Sequence, residues 1–464
     1  MADMWSSSGV DGGPSSGLDV HLDWQPATGR SGLAAAIRAA IREGRWQPDA
    51  AVPSTRALAQ DLGVARGTVT RVYADLAAEG YLRTAQGAPT RVATAGSLPQ
   101  SAPRQAPRDP APRWDLRPGR PDLTAFPRQA WLSATRRALL RTPASAFGYE
   151  SELGAPELRD TLAGYLARAR GVVADPARIV VCHGYSHAIA VLSRALFGLG
   201  VGEVAFENPS LGMYRSIAAA QGPRVVGVPV DEHGLDVSAL DSPAVVVTAA
   251  HQYPTGVTLA PHRRAALTRS GAYVLEDDYD GEFRFDHQQV GALQALAPER
   301  VVYAGTASKT LAPALRLAWL VLPRSLVEPV RAAMADSGSR PAVLNQLALA
   351  ELIDSGAYDR HVRRSRAEYR SRRTRLLAAL PDSVRPEGIS AGLHLLLVLP
   401  PGGPTETQAL AACRRRAIGI EGLGSHWMDA NRPGGLIVGY AAPAKHAFAG
   451  AAQTLIEALH EITS

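Results

Sequence analysis

From residue 32 to residue 80 the apolar positions recur at helical spacing. Leu33, Ile37, Ala40 and Ile41 line one face of a helix predicted over roughly 32–43. Pro53-Ser54-Thr55-Arg56 opens a second helix, with Ser54 as N-cap and Leu58 and Leu62 inward. After Gly63, the segment ARGTVTRVYADLAAEG sets Val69, Val72, Tyr73 and Leu76 at i, i+3, i+4 and i+7, one buried stripe. Arg66, Gly67, Thr68, Thr70 and Arg71 are left facing outward near the start of that helix. YLRTAQGAPTRVA then predicts two short strands around Gly87. From about residue 114 the pattern changes. The apolar runs IVVCHG, EVAFENP, AVVVTAA, YVLEDDYD and VVYAGTASK alternate with helical segments, which predicts an α/β domain with a mostly parallel sheet. Residues from about 345 to 464 mix helices with LHLLLVLP and LIVGYA and predict a smaller α+β lobe.

Two stretches carry no such pattern. Residues 1–28, rich in Gly, Ser and Asp, predict a disordered segment. Residues 94–113, a Pro/Ala/Ser/Arg tract, predict a semi-extended linker. The expected organisation is therefore a helical unit with a small β element over 29–93, the linker, and an α/β domain over 114–464.

Composition narrows the class. With 464 residues, 46% hydrophobic and 20% charged, the chain fits a globular protein of two or three domains. No run approaches about 18 uninterrupted apolar residues, and the first residues lack the basic-then-apolar order of a signal peptide. Cys182 and Cys413 form neither a disulfide framework nor a metal cluster. The expectation is a cytoplasmic protein without membrane or metal partners. The net charge of +6 is unevenly placed: between Arg30 and Arg113 twelve arginines face six acids. Such an excess suits a polyanion, although charge alone would also fit a solvated surface. The chain holds 47 arginines but only two lysines, Lys309 and Lys445. Where lysine persists against that bias, the chemistry points to an amine that can lose its proton.

Four segments carry chemistry. GYSH, 184–187, follows a strand and opens a helix, so Gly184, Tyr185 and Ser186 can present backbone N–H groups to a phosphate; alone, a tight turn would account for it. HQYPTG, 251–256, shapes a loop that would hold Tyr253 or Gln252 against a cofactor hydroxyl. EDDYDGEF, 276–283, puts three acids at a strand end, where they repel one another unless one meets a cation. A pyridinium nitrogen would be such a partner for Asp277. In GTASKTLAPALR, 305–316, Lys309 follows Ser308 at a strand end, and Arg316 can fork onto a phosphate.

The string LAAAIRAAIREGRWQPDAAVPSTRALAQDLGVARGTVTRVYADLAAEGYLRT closely resembles the GntR-type winged helix. The resemblance implies that Arg56 and Arg66 contact an operator in double-stranded DNA, with Thr68, Thr70 and Arg71 beside them and Gly87 at the wing tip. Ala65 and Gly67 depart from the family's usual Ser and Asn, which bears on the operator sequence. The four later segments, in order and spacing, resemble the fold-type-I aminotransferases from about Trp114 to Ser464. By that resemblance the cofactor is pyridoxal 5'-phosphate, Lys309 forms the Schiff base, Asp277 pairs with the pyridine nitrogen, and Tyr279 approaches the phenolic oxygen. Ser308, Arg316, Gly184, Tyr185 and Ser186 would surround the phosphate. The whole chain resembles the MocR family of regulators, which includes responders to γ-aminobutyrate and to pyridoxal phosphate.

Two departures bear on mechanism. Leu211 stands where members often place an aromatic ring over the cofactor, with Tyr214 close by. Ile437 stands where catalytic aminotransferases carry an arginine for the substrate α-carboxylate, and Arg432 lies on a nearby loop. The sequence thus favours a DNA-binding regulator sensing pyridoxal phosphate or an amino compound over its alternative, an active transaminase with an accessory domain. The resemblance further implies a homodimer in which each winged helix lies over the partner's large domain, head to tail.

Overall fold

The helical spacings of the N-terminal segment close on one core in the computed structural model, which describes residues 22–85, 87–93, 111–148, 151–286, 290–429 and 432–463. Helices Gly29–Arg42, Thr55–Asp61 and Arg66–Ala78 bury Leu33, Ile37, Leu58, Val69, Val72 and Leu76 around Trp46. The Ser54 hydroxyl accepts the Ala57 N–H at 3.1 Å, the bond that its place before the helix predicts. Strands Leu82–Arg83 and Arg91–Val92 pair antiparallel, and Ala51 bridges Arg91 to widen the wing. Gly87 takes a left-handed φ of 79° between the two strands, which a residue with a Cβ adopts only at a cost. Residues 22–28 were expected to be disordered. Instead they hold a 3-10 turn at Pro26–Thr28, with Leu22 and Trp24 packed on the core. Their apolar side chains outweigh the polar composition around them. Residues 1–21 and 94–110, the bulk of the predicted disordered segment and linker, lie outside the described residues.

The chain divides into two units, Met1–Pro110 and Ala111–Ser464. In the second, eight strands among the described residues form one sheet. Its order is Ile179–Cys182, Ala318–Val321, Val301–Thr306, Tyr273–Asp277, Ala244–Val247, Glu203–Asn208, Arg224–Asp231 and Gly234–Leu235. The central strands pair in parallel, and Ala318–Val321 enters antiparallel between two of them. Near-continuous apolar strands such as IVVC and VVYAG are buried on both faces, as a parallel sheet covered by helices requires. Gly184, His251, Asp277 and Lys309 all lie at or just beyond the carboxyl ends of their strands, the edge where ligands bind in open α/β sheets.

The smaller lobe is built on a sheet ordered Arg385–Glu387, His394–Val398, Gly435–Gly439 and Glu421–Gly422. Its boundary differs from the sequence expectation at both ends. Helix Val343–Asp354 packs with Leu349, Leu352 and Ile353 in the core of the larger lobe. Conversely, Trp114–Asp115 pairs with Ile418–Gly419, and Leu116 is buried in the small-lobe core. A change of pattern along the chain, such as the one near 345, cannot show that an early segment returns to pack with a late one.

Candidate functional site

On the first unit, Arg56, Arg66, Gly67, Thr70, Arg71 and Gly87 are exposed and Thr68 is half-buried. Among the described residues Arg56, Arg66 and Arg71 join no ion pair, whereas Arg38 is held by Glu79 and Arg83 by Asp49. Arg56 on the second helix and Arg66 and Arg71 on the third are thus exposed cations without an acidic partner among the described residues. Arg66 Nε reaches the Thr55 hydroxyl at 3.4 Å, linking the starts of the second and third helices. Thr70 is the exception in the predicted set. Its hydroxyl donates to the Arg66 carbonyl at 3.0 Å, a bond within its own helix.

On the second unit, Gly184 holds φ at 80° where strand Ile179–Cys182 turns into helix Tyr185–Gly198. A Cβ there would lie 3.0 Å from the Arg316 guanidinium carbon, so glycine lets Arg316 close on the helix N-terminus. Arg316 Nη2 donates to the His183 carbonyl at 3.1 Å and is otherwise exposed. Ser308 is tied by its N–H and hydroxyl to the Thr306 hydroxyl at 3.1 and 3.0 Å. A helix N-terminus, an arginine and a hydroxyl residue at adjoining strand ends suit a phosphate.

Three acids end strand Tyr273–Asp277 and its turn, and the structure separates their roles. The Glu276 carboxylate accepts the Leu293 and Gln294 N–H groups at 2.7 and 2.9 Å. Asp278 takes a bidentate pair from Arg170, 2.6 and 3.0 Å, and the Tyr303 hydroxyl at 2.8 Å. Asp277 Oδ1 is buried without a hydrogen-bond partner. Burial pushes its carboxyl up to about 8, with the Tyr185 hydroxyl and Lys309 offsetting part of that rise. Arg170 and Asp278 are both almost fully buried. Arg170→Met is accordingly expected to cost about 3–5 kcal/mol, because it strands the Asp278 charge in the interior. Chemical denaturation would measure it, and a loss below about 1 kcal/mol would contradict this account.

Lys309 Nζ donates to the Gly119 carbonyl at 2.7 Å. Burial lowers its pKa, against the pull of Asp277 and Asp280, toward the free amine that condenses with a carbonyl. Tyr279 is buried with its hydroxyl 3.1 Å from His251 Nδ1, which also meets Asp280 Oδ2 at 2.8 Å. Tyr185 begins its helix as expected, but its side chain turns to the Asp277 side, with its ring edge-on to Tyr214 at 4.8 Å. The Ser186 side chain is half-buried in the first turn of the same helix. Of the two candidates in HQYPTG, Gln252 is spent on backbone carbonyls, Nε2 donating to Pro209 of a distant turn and to its neighbour Tyr253. The Tyr253 hydroxyl lies 3.4 Å from Glu421 Oε2, and its ring stands perpendicular to Tyr279 at 6.3 Å.

The residues present fit pyridoxal phosphate. The orphaned Asp277 oxygen lacks the partner that a protonated ring nitrogen would supply, and the Lys309 amine and the Gly184–Arg316 cradle match the aldehyde and the phosphate. Sequence reasoning missed His251, Asp280, His394, Glu421 and Gly119. His394 is buried with both ring nitrogens unpartnered, 4.9 Å from the His251 ring. A histidine inside the apolar run LHLLLVLP was the signal for it. One atom each of His251, Asp280 and His394 lies within 4.8 Å of the others, a spacing that would admit a metal ion; here His251 Nδ1 already serves Asp280 and Tyr279. Ile437 is fully buried against Leu396 and Leu423.

Residues 119–414 match the aminotransferase class I and II family, and residues 30–92 match the gntR family of bacterial regulatory proteins. The probable rhizopine catabolism regulatory protein MocR of Rhizobium meliloti is 34% identical over 394 residues, spanning 78% of this chain and 79% of that protein. The pyridoxine biosynthesis transcriptional regulator PdxR of Corynebacterium glutamicum is 31% identical over 430 residues, spanning 90% and 92%. Kynurenine aminotransferase of Pyrococcus horikoshii superposes with a TM-score of 0.67 over 75% of this chain and 90% of its own, at 21% identity, a likeness of fold. The chain belongs to the MocR-type transcriptional regulators, in which a GntR winged helix precedes an aminotransferase-like domain.

Proposed function

We propose that this regulator carries pyridoxal phosphate on Lys309 and changes its grip on DNA when an amine, or the cofactor itself, occupies that site. The observation that carries the reading is the pairing of a buried, unpartnered Asp277 oxygen with a lysine amine whose pKa is lowered. When bound, the cofactor would supply an aldehyde carbon able to condense with a primary amine, that of Lys309 or that of a ligand. Asp277 would hold a proton at the ring nitrogen. Tyr279, fixed by His251 and Asp280, would hold one at the phenolic oxygen. Gly184, Tyr185 and Ser186 through their backbone, with Ser308 and Arg316, would anchor the phosphate, and Tyr253 would border the ligand side. Arg56, Arg66, Thr68 and Arg71 would meet the operator, with Gly87 shaping the wing.

The role is regulatory rather than catalytic because Ile437, sealed under Leu396 and Leu423, offers an α-carboxylate no cation. Incubation with common amino acids and a keto acid acceptor is expected to yield no turnover of amino groups; sustained production of new amino acid would instead establish an enzyme. No helix among the described residues is long and apolar enough to cross a membrane, in keeping with a cytoplasmic regulator. Leu132, Leu139, Leu140 and Phe147 are exposed on or just after helix Arg128–Arg141. That apolar surface supports a homodimer, and the head-to-tail arrangement is the form we propose for it.

A further inference from the structure

What the cleft beside Lys309 accepts can be argued from the small-lobe sheet, given the reading of Lys309 as the cofactor lysine. Ile437 pairs in register with Leu396 on one side and Glu421 on the other. Residues directly opposite in an antiparallel pair share a face, and alternation puts His394 on it as well. That face is the one turned to the larger lobe's carboxyl edge. His394 lies 5.0 Å from the Tyr253 ring, and the Tyr253 hydroxyl donates to Glu421 at 3.4 Å. At the position of the expected carboxylate-binding arginine the chain therefore has a sealed hydrocarbon side chain, and its cross-strand neighbour is an acid.

The groups around Glu421 leave that acid available. His426 Nε2 stands 3.9 Å away without a hydrogen-bond partner. Arg117 and Arg120 are the nearby cations, and both are engaged by Asp115: Arg117 through two bonds at 2.8 and 2.7 Å, Arg120 at 3.1 Å. Burial raises the Glu421 pKa despite those arginines, so its charge gains from a further cation. At Lys309 the charge of Glu421 acts more weakly than that of Arg120, whose guanidinium is tied to Asp115.

We infer that the effector is a primary amine whose far end carries a second positive charge, a diamine, and that Glu421 is the anchor for that charge. A ligand ending in a carboxylate would meet hydrocarbon at Ile437 and a like charge at Glu421, which is discrimination by repulsion as well as by attraction. Glu421 recruits the ligand and takes no part in holding the cofactor.

The test is a titration of the cofactor-loaded full chain with putrescine, butylamine and γ-aminobutyrate, followed by cofactor absorption and by calorimetry. The three share a chain length and end in an ammonium, a methyl and a carboxylate. Putrescine should bind at least about tenfold more tightly than γ-aminobutyrate, with butylamine between them. Glu421→Gln should keep the visible band, which reports its folding, and narrow the ratio to about threefold or less. Equal affinities in the parent protein, or an unchanged ratio in Glu421→Gln, would overturn the inference. A cofactor band that none of the three perturbs would overturn it together with the amine-effector reading, and would leave the Lys309 assignment standing. A protein with no band would overturn that assignment, on which both rest.

Discussion

Lys309→Ala is expected to abolish the visible absorption that the cofactor-loaded protein retains after gel filtration, while its far-ultraviolet circular dichroism stays that of the parent. The effect is all or none because no other amine can take over. Lys445, the second of the two lysines, is exposed and paired with Glu368 at 3.4 Å. Alanine removes a side chain that lies beyond the end of strand Val301–Thr306 and donates one hydrogen bond, to Gly119, so the sheet itself should survive. Arginine in its place would keep the charge but has no amine able to condense. Asp277→Asn provides the graded counterpart. It leaves Lys309 in place but cannot hold the proton at the ring nitrogen, so cofactor should bind more weakly and with a shifted spectrum. A parent-like band in Lys309→Ala would remove the lysine from the site.

Arg66→Ala is expected to weaken operator binding by about 1–3 kcal/mol, roughly fivefold to more than a hundredfold. If the lost contact is to a phosphate, the slope of log K against log salt should also fall by about 0.9. The reasoning rests on partners. Arg66 opens the recognition helix, is exposed and joins no ion pair among the described residues. Arg83, on the wing, is already held by Asp49 and should matter less when replaced. Operator titrations at several salt concentrations separate the two cases. Parent-like affinity and slope in Arg66→Ala would place the DNA on another surface.

What was legible in the sequence was whatever depends on near neighbours. The stripe Val69, Val72, Tyr73 and Leu76 needs only the helical period, and Ser54 needs only its position before Ala57. The strand-end motifs were likewise visible because function there sits at the ends of short apolar runs. The division of labour in EDDYDGEF was not legible. Glu276, Asp278 and Asp277 differ only in what folds against them: backbone N–H groups near residue 293, Arg170 from over a hundred positions earlier, and nothing at all for Asp277 Oδ1. Glu421 and His394 were missed for the same reason, since they arrive from the smaller lobe. Trp24 shows the opposite error, a polar composition hiding one large apolar side chain.

The central claim is that the Lys309 site and the winged helix are coupled. It is tested most directly by the affinity of the full chain for its operator, at one fixed salt concentration, without additions, with pyridoxal phosphate, and with pyridoxal phosphate plus putrescine, for the parent and for Lys309→Ala. The account predicts that at least one of the two additions changes the parent's affinity severalfold or more, and that Lys309→Ala, though it still binds the DNA, gives one affinity under all three conditions. A parent protein that carries the cofactor on Lys309 and binds the operator equally well under all three conditions would contradict it.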